Sequence, residues 1–531
     1  MLNLRFLPLA LAILSLAPSA FAHKSGRPGH RALAPRAGHD VLITLLETND
    51  LHGAVYKPGE PRGLSKIATL ARRIRAQMPH TLLLDSGDRI QGEPDEKITE
   101  GASILAAMNT MGYDAAASGN HEFDYGLDGA ARAAHLASFP TLSANVLDAN
   151  TGKTWGPYRP YVIKNVGGVR VAIFGLTTLE TLIYEWPPAL NGVRFADPAE
   201  TARKLVPVLR NKEHADVVIL LSHLGADVDI DLAESVPGID MILGGHSHST
   251  LHRQTWVGDT LIAQTGSRAT YLGRIDFVVH KSAKGAAITQ VNGRNGRWWG
   301  HNPNAPARLP FPNSPLLALD GVADDPRLMA AYRPFLDKLK PVMGETLCIA
   351  SEAIPGGMLG QKETALGNLI ADAVRAQSKS DVAMINPDDQ NKSGLTAGPV
   401  KVGDLYRLVN QYTCQALVTA RVPGDKLAAC IAAARARGGA PLCFSGIRLA
   451  SDPRAPESVT RFVQVNGKAL CEERAYTVTA PASVMAAQFL GQPGVEIVDD
   501  NPHNPTVRDA LIANLRGHAP LTAACDGRWR P

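Results

Sequence analysis

The sequence predicts a layered α/β fold, with largely buried β-sheets covered by helices, followed by a second, smaller α+β domain. Three observations predict it. Short apolar runs alternate with helical stretches from Val41 to Leu243. Clusters rich in Asp, His and Asn come directly after several of those runs, and layered α/β architectures build their sites at the carboxyl ends of strands. A stretch rich in Pro, Asn and Gly, 293–325, then separates this pattern from a second one that holds all six cysteines.

Taken in order, Val41–Thr48 reads as a strand and leads at once into Asn49-Asp50-Leu51-His52-Gly53. Gly63–Ala76 reads as a helix. Thr81–Leu84 is a second strand, ending in Asp85-Ser86-Gly87-Asp88. Ala102–Met111 is helical and precedes Gly119-Asn120-His121-Glu122-Phe123-Asp124. Val169–Thr177 is a strand and Pro198–Asn211 a helix with apolar residues at helical spacing. Asp216–Leu221 and Ile239–Leu243 are strands, ending in Ser222-His223 and in Gly244-Gly245-His246-Ser247-His248. Pro326–Leu339 reads as a bridging helix and Glu363–Arg375 as an amphipathic one. Val400–Leu408 and Ala416–Ile431 read as loop, strand and helix, and Tyr476–Ala480 as a late strand.

The chain has 531 residues, enough for two domains with sizeable cores. Its net charge is 54 − 50 = +4, which over this length does not argue for a nucleic-acid polymer as partner. Met1–Arg5 carries a basic residue, Phe6–Leu16 is apolar, and Ala20-Phe21-Ala22 offers an A-x-A cleavage site. These three elements in order predict a signal peptide over 1–22, because the apolar run is too short to span a bilayer. Residues 23–39 read as a flexible leader. No cysteine stands directly after the cleavage site and no other stretch is long and apolar enough to anchor the chain, so a periplasmic or secreted protein without a stable membrane anchor is expected.

The cysteines are Cys348, Cys414, Cys430, Cys443, Cys471 and Cys525. In an oxidising compartment an even number suggests disulfides, and Cys430 with Cys443 is the pair expected from nearness alone. No Cys-x-x-Cys occurs, so thiolate metal binding is not expected.

Asp50, His52, Asp88, Asn120, His223, His246 and His248 form a set of oxygen and nitrogen ligands without thiolate. Such a set suits Zn, Mn or Fe, and two ions need one bridging ligand. Two ions about 3.5–4 Å apart activate water and clamp the oxygens of a phosphoryl group. A lone Asn-His-Glu is more often a polar turn; five loaded ends in one chain are not.

These motifs resemble the calcineurin-like metallophosphoesterase signature of Asp-x-His, Gly-Asp, Gly-Asn-His-Glu, a later His, and Gly-His-x-His. In order and spacing they are similar to the secreted 5′-nucleotidase family over roughly residues 40 to 280. The resemblance implies a four-layer catalytic domain over 40–300, a linker and bridging helix over 301–345, and a 5′-nucleotidase-like substrate domain over 346–531. It implies one divalent ion on Asp50, His52, Asp88 and His248, and a second on Asp88, Asn120, His223 and His246, with Asp88 bridging. His121 then faces the phosphate and Asp124 orients it, while a metal-bridging hydroxide attacks phosphorus. Asp85 and Glu122 read as supporting or capping residues.

The second domain matches the family in Glu363-Thr364-Ala365-Leu366-Gly367-Asn368-Leu369 and in Gly403-Asp404-Leu405-Tyr406. Asn368 and Tyr412 are the substrate-binding residues the resemblance carries over. The chain departs from the family where an arginine-bearing stretch is replaced by Asn386-Pro387-Asp388-Asp389-Gln390-Asn391, and where Lys362 stands nearest to a missing arginine. The second stacking ring falls near Ser483. Arginine forks for an anion are thereby lost and the stacking platform is halved.

The expected function is an exported two-metal 5′-nucleotidase acting on a small phosphoester. A 2′,3′-cyclic nucleotide phosphodiesterase, a UDP-sugar hydrolase and a non-nucleotide phosphoesterase are the enzymatic alternatives. A vestigial binding protein would show lost ligands, and none is lost. Metal storage would not need Asn120 or the His121–Asp124 pair. The sequence leaves the oligomeric state open.

Overall fold

The structure is a computed structural model that describes residues 38–292, 315–357, 362–386, 394–409, 416–437, 442–451, 461–517 and 520–529. The expected signal peptide, Tyr412, and most of the Asn386–Asn391 departure lie outside the described residues.

Two sheets pack face to face. The first has seven strands, with β1 (His39–Thr48), β2 (Thr81–Asp85) and β3 (Ala115–Ala117) parallel at its centre. The second has six, with β4 (Val169–Thr177), β5 (Val217–His223) and β6 (Met241–Gly244) parallel at its centre. The long strand β7 (Tyr271–Ser282) returns antiparallel beside β1. Leu316–Ala318, within the Pro/Asn/Gly-rich stretch, adds a further strand to β7.

The period-2 geometry of β1 explains the layering. Ile43 and Leu45 enter the core between the sheets, together with Val171, Ile173, Ile219, Leu221, Leu243 and Phe277. Leu46 faces the other way, into a core built with helices Leu64–Gln77, Ala102–Met111 and Pro326–Gly344. Helices Pro198–Pro207 and Ala226–Ser235 cover the outer face of the second sheet. The order helix, sheet, sheet, helix is the expected four-layer arrangement.

One helix differs from expectation. Asp197 caps its start by accepting from the Glu200 N–H, and Pro198 occupies the first turn, where a missing N–H costs nothing. The α-helix ends at Pro207, and Val208–Lys212 continues as a π-turn instead of running regularly to Asn211. Pro207 has no N–H for the i→i−4 ladder, so the register is broken there.

The second domain centres on a five-stranded mixed sheet in the order Cys443–Ser445, Val382–Ile385, Ala475–Pro481, Leu417–Pro423, Glu496–Asp499. Val402–Leu408 is a helix, with Asp404 accepting from the Lys401 N–H at its start. The Cys430–Cys443 disulfide is not formed. Cys430 is a buried free thiol lying 3.4 Å from Gln488 Oε1, and burial pushes it up to about 11. It belongs to the apolar core on one face of the sheet, whereas Cys443 packs against the core on the other. Nearness in sequence did not survive the sheet between them. No helix among the described residues is long and apolar enough to cross a membrane.

Candidate active site

The polar clusters after β1, β2, β3, β5 and β6 converge at the carboxyl ends of the two sheets. Five of the seven candidate ligands are non-glycine residues in the left-handed region: Asp50 at φ 49°, His52 at 46°, Asp88 at 54°, His246 at 71° and His248 at 54°. Such backbone costs about 1–3 kcal/mol per residue and persists only where the surroundings impose it. Here it turns each side chain back toward a common point.

Asp50, His52 and His248 bring their ligand atoms within 4.8 Å of one another, and so do Asp88, His223 and His246. The two histidine Nε2 atoms of the first group are 3.0 Å apart, and His248 Nε2 is 3.4 Å from Asp50 Oδ1. Two nitrogens on one ion at bond lengths of about 2.0–2.1 Å would stand roughly 3.3 Å apart. Asp88 joins the groups, with Oδ2 at 3.1 Å from His223 Nε2 and 3.9 Å from His52 Nε2. Asn120 Oδ1 is 3.1 Å from His246 Nδ1.

The outer nitrogens of the imidazoles are fixed by the protein. His52 Nδ1 meets the Gln91 carbonyl at 2.8 Å and His223 Nδ1 meets the Ser86 carbonyl at 2.7 Å. This sets the tautomer and turns Nε2 inward. His223 Nε2 is buried without a hydrogen bond of proper geometry, despite its closeness to Asp88. An inward orphan nitrogen beside hard carboxylate oxygens is what a divalent ion satisfies, so the donor set fits two such ions. Burial pulls the His52 imidazole down to about 3, outweighing the opposing pull of Asp88, whereas at His223 the charge of Asp88 outweighs burial and pushes the imidazole up to about 9.

His121 is held differently. Its Nδ1 is 2.8 Å from Asp124 Oδ1, and its backbone N–H donates to Asp88 Oδ1 at 3.0 Å. Burial disfavours the imidazolium, but Asp124 and Asp88 outweigh it and hold His121 well above the ordinary histidine range. A ring nitrogen of His121 lies within 4.8 Å of the ligand atoms of His52 and Asp88. Glu122 takes the capping role expected of it, accepting the N–H groups of Asp88, Arg89 and Gly119. Asp85 accepts from the Thr48 hydroxyl and the Gly87 N–H.

Asn368 sits in helix Ala365–Ser378, where its amide nitrogen donates to Glu363 Oε1 and to the Ala524 carbonyl. The arrangement also contains groups that sequence reasoning missed. Glu180 Oε2 is 2.8 Å from His246 Nε2. Glu185 lies with His121 and Asp124 inside 4.8 Å. A cavity of about 210 Å³ opens beside Asp124 and Tyr125, with Tyr406 and His503 of the second domain on its other side. Lys97 stands 4.7 Å over the Tyr125 ring, and the Arg508 guanidinium 4.1 Å over that of Tyr406. The signal for Glu180 and Glu185 was available: they follow β4, one more strand end carrying polar residues.

Comparison with known proteins places both halves. Residues 43–250 match the family model of calcineurin-like phosphoesterases, and residues 350–488 match that of the 5′-nucleotidase C-terminal domain. A 5′-nucleotidase of Vibrio cholerae serotype O1 is 28% identical over 414 residues, covering 69% of this chain and 71% of its own length. Protein UshA of Yersinia enterocolitica is 27% identical over 525 residues, covering 91% of this chain and 92% of its own. The crystal structure of a 5′-nucleotidase precursor from Thermus thermophilus has a TM-score of 0.64 at 26% identity, over 92% of this chain and 99% of that one.

Proposed function

The chain belongs to the calcineurin-like phosphoesterases that carry a 5′-nucleotidase C-terminal domain and is a metal-dependent phosphoester hydrolase; from that premise we propose that it is an exported 5′-nucleotidase. The observation that carries the reading is the convergence of two ligand groups on Asp88, with the His121–Asp124 pair beside them. Export is supported by the signal-peptide pattern of residues 1–22.

In this reading Asp50, His52, Asp88 and His248 hold one ion, and Asp88, Asn120, His223 and His246 hold the other. Bound ions supply Lewis-acid stabilisation of phosphoryl oxygens and a water acidic enough to be a nucleophile at neutral pH. Asp124 fixes His121 by its Nδ1, so Nε2 is the nitrogen that serves the substrate. A protonated Nε2 donates to a phosphoryl oxygen as charge grows there, or delivers its proton to the departing alkoxide. The cavity beside Asp124, with its two cation–ring pairs, accommodates the rest of the ester. Asn368 and Tyr412 are assigned to substrate binding on the resemblance.

The lost arginine-bearing stretch around Asn386–Asn391 favours one competing reading, a related ester such as a 2′,3′-cyclic nucleotide, a nucleotide sugar or a non-nucleotide ester. One experiment separates them. Metal-depleted protein is reconstituted with Mn, Zn or Mg and assayed for phosphate or nitrophenol release from AMP, 2′,3′-cyclic AMP, UDP-glucose and bis-p-nitrophenyl phosphate. Release from AMP, suppressed in His121→Ala, is expected. Activity limited to another ester would replace the nucleotidase assignment, and silence with every metal would overturn the reading.

A further inference from the structure

Residues Thr178–Trp186 follow β4 and form one short connected stretch, with a single helical turn over Thr181–Tyr184. Three of its side chains reach three different places, two in the catalytic domain and one in the second domain. Glu180 Oε2 is 2.8 Å from His246 Nε2. Glu185 is 5% exposed and places a carboxylate oxygen within 4.8 Å of Asp124 and His121. Trp186 leaves the catalytic domain altogether. Its indole is buried and joins the apolar cluster of the second domain, beside Val418 and Ala482, and its Nε1 donates to Asp500 Oδ2 at 3.0 Å.

We infer that Glu185 is a positioning residue for the His121–Asp124 pair and that the second domain holds it in place through Trp186 and Asp500. The inference rests on the phosphoesterase reading above, since it assigns His121 the work.

The chemistry of the carboxylates supports it. Asp124 and Glu185 face each other with little solvent, and two ionised carboxylates do not share such a place. Burial, then the charge of Asp124, raises Glu185 well above the usual carboxylate range. Glu185 places a carboxylate oxygen within 4.8 Å of Asp124; in this proposal its neutral form donates to Asp124, which already accepts from His121 Nδ1 at 2.8 Å. An acceptor pinned on two sides holds the imidazole plane; one pinned by the imidazole alone leaves both free to swing. A displacement of about 1 Å in a reacting group can cost on the order of 100-fold in rate.

The second domain is part of this support. A cavity of only about 30 Å³ lies behind the pair, lined by Asp124, Glu185 and Trp186 on one side and by Val418, Ala482 and Asp500 on the other. Glu185 and Trp186 line this cavity together, so seating Trp186 closes one side of the space beside Glu185. With Trp186 unseated, the adjoining residue loses its anchor. Docking of the second domain thus reports to the reacting imidazole through two consecutive residues.

The test uses full-length, metal-loaded protein and bis-p-nitrophenyl phosphate, or whichever ester of the panel the wild type turns over. Glu185→Ala is expected to lower kcat about 10- to 100-fold with KM little changed. Glu185→Gln, which keeps a neutral donor, is expected to remain within about threefold of wild type. Asp500→Ala, in the other domain, is expected to lower kcat several-fold, and to speed amide hydrogen exchange in the peptides covering 119–126 and 178–186 but not in 64–77. Metal content and melting temperature of each variant are measured alongside. Unchanged kcat in Glu185→Ala, or equal losses in Glu185→Ala and Glu185→Gln, would overturn the positioning role. Exchange changes confined to the neighbourhood of Asp500 would overturn the coupling. The exchange measurement needs no substrate, so a wild type without activity would remove the phosphoesterase reading and leave the coupling decided.

Discussion

Asp88 Oδ2 lies 3.1 Å from His223 Nε2, joining the carboxyl end of one sheet to that of the other. Its second oxygen accepts the His121 N–H at 3.0 Å, so one carboxylate adjoins both candidate ligand groups and the His121–Asp124 pair. Loss of this residue therefore acts on both ion sites. Asp88→Asn is expected to reduce bound divalent metal to one ion per chain or fewer and to lower kcat/KM by more than about 1,000-fold. Metal analysis by mass spectrometry with parallel kinetics checks it; two ions retained would remove Asp88 as the bridge.

Asp88 is also held by what is missing beside it. A Cβ on Gly119 would stand 2.1 Å from Asp88 Oδ1 and 2.6 Å from its backbone nitrogen. Both atoms are already engaged, the Asp88 N–H by Glu122 Oε2 and Asp88 Oδ1 by the His121 N–H. Gly119→Ala is expected to cost about 1–3 kcal/mol of stability and to abolish activity as Asp88→Asn does. Thermal melts and metal content of the variant measure both, and a fully active Gly119→Ala would contradict the packing.

Glu180 gives a case where a partly exposed residue matters. Its carboxylate accepts from His246 Nε2, which sets Nδ1 toward Asn120. A carboxylate behind a ligating imidazole typically contributes 10- to 100-fold in metal affinity. Glu180→Ala should therefore weaken one of two ions by about that factor, with melting of the metal-free protein little altered. Isothermal titration of metal into depleted protein distinguishes this from a passive surface ion pair, which would leave affinity as it was.

Legibility in the sequence followed locality. The candidate ligands stand in compact groups such as Asp50-x-His52 and His246-x-His248, placed where apolar runs stop, so both chemistry and position could be read from adjacent residues. The four layers were legible because both faces of β1, β4 and β5 are apolar. Glu180, Glu185 and Trp186 follow a strand end that could be read, but what they meet could not, because their partners are 61 to 314 residues away and no fixed spacing links them. The same distance defeats the cysteine guess in reverse: Cys430 and Cys443 are near in sequence but packed on opposite faces of one sheet. The left-handed backbone at the ligands had no signal in composition, since Asp and His occupy it in place of glycine.

Glu96 supplies a pH dependence independent of the ion ligands. It is fully buried beneath Tyr125, its Oε2 has no hydrogen-bond partner, and burial pushes its carboxyl up to about 8. The folded state thus holds a proton that the unfolded chain releases near the ordinary value of 4.5. Stability from this group is complete below that value, declines as pH rises above it, and is lost once pH passes about 8. Glu96→Gln keeps the shape and removes the ionisation. Relative to the wild type, the variant should lose less stability between pH 5 and pH 9, with the difference at pH 9 on the order of 4 kcal/mol at most. Urea unfolding of both proteins at pH 5, 7 and 9 measures it, comparing differences so that other carboxyls cancel. Parallel stability curves would mean that Glu96 is already ionised at neutral pH and that its burial is relieved by water.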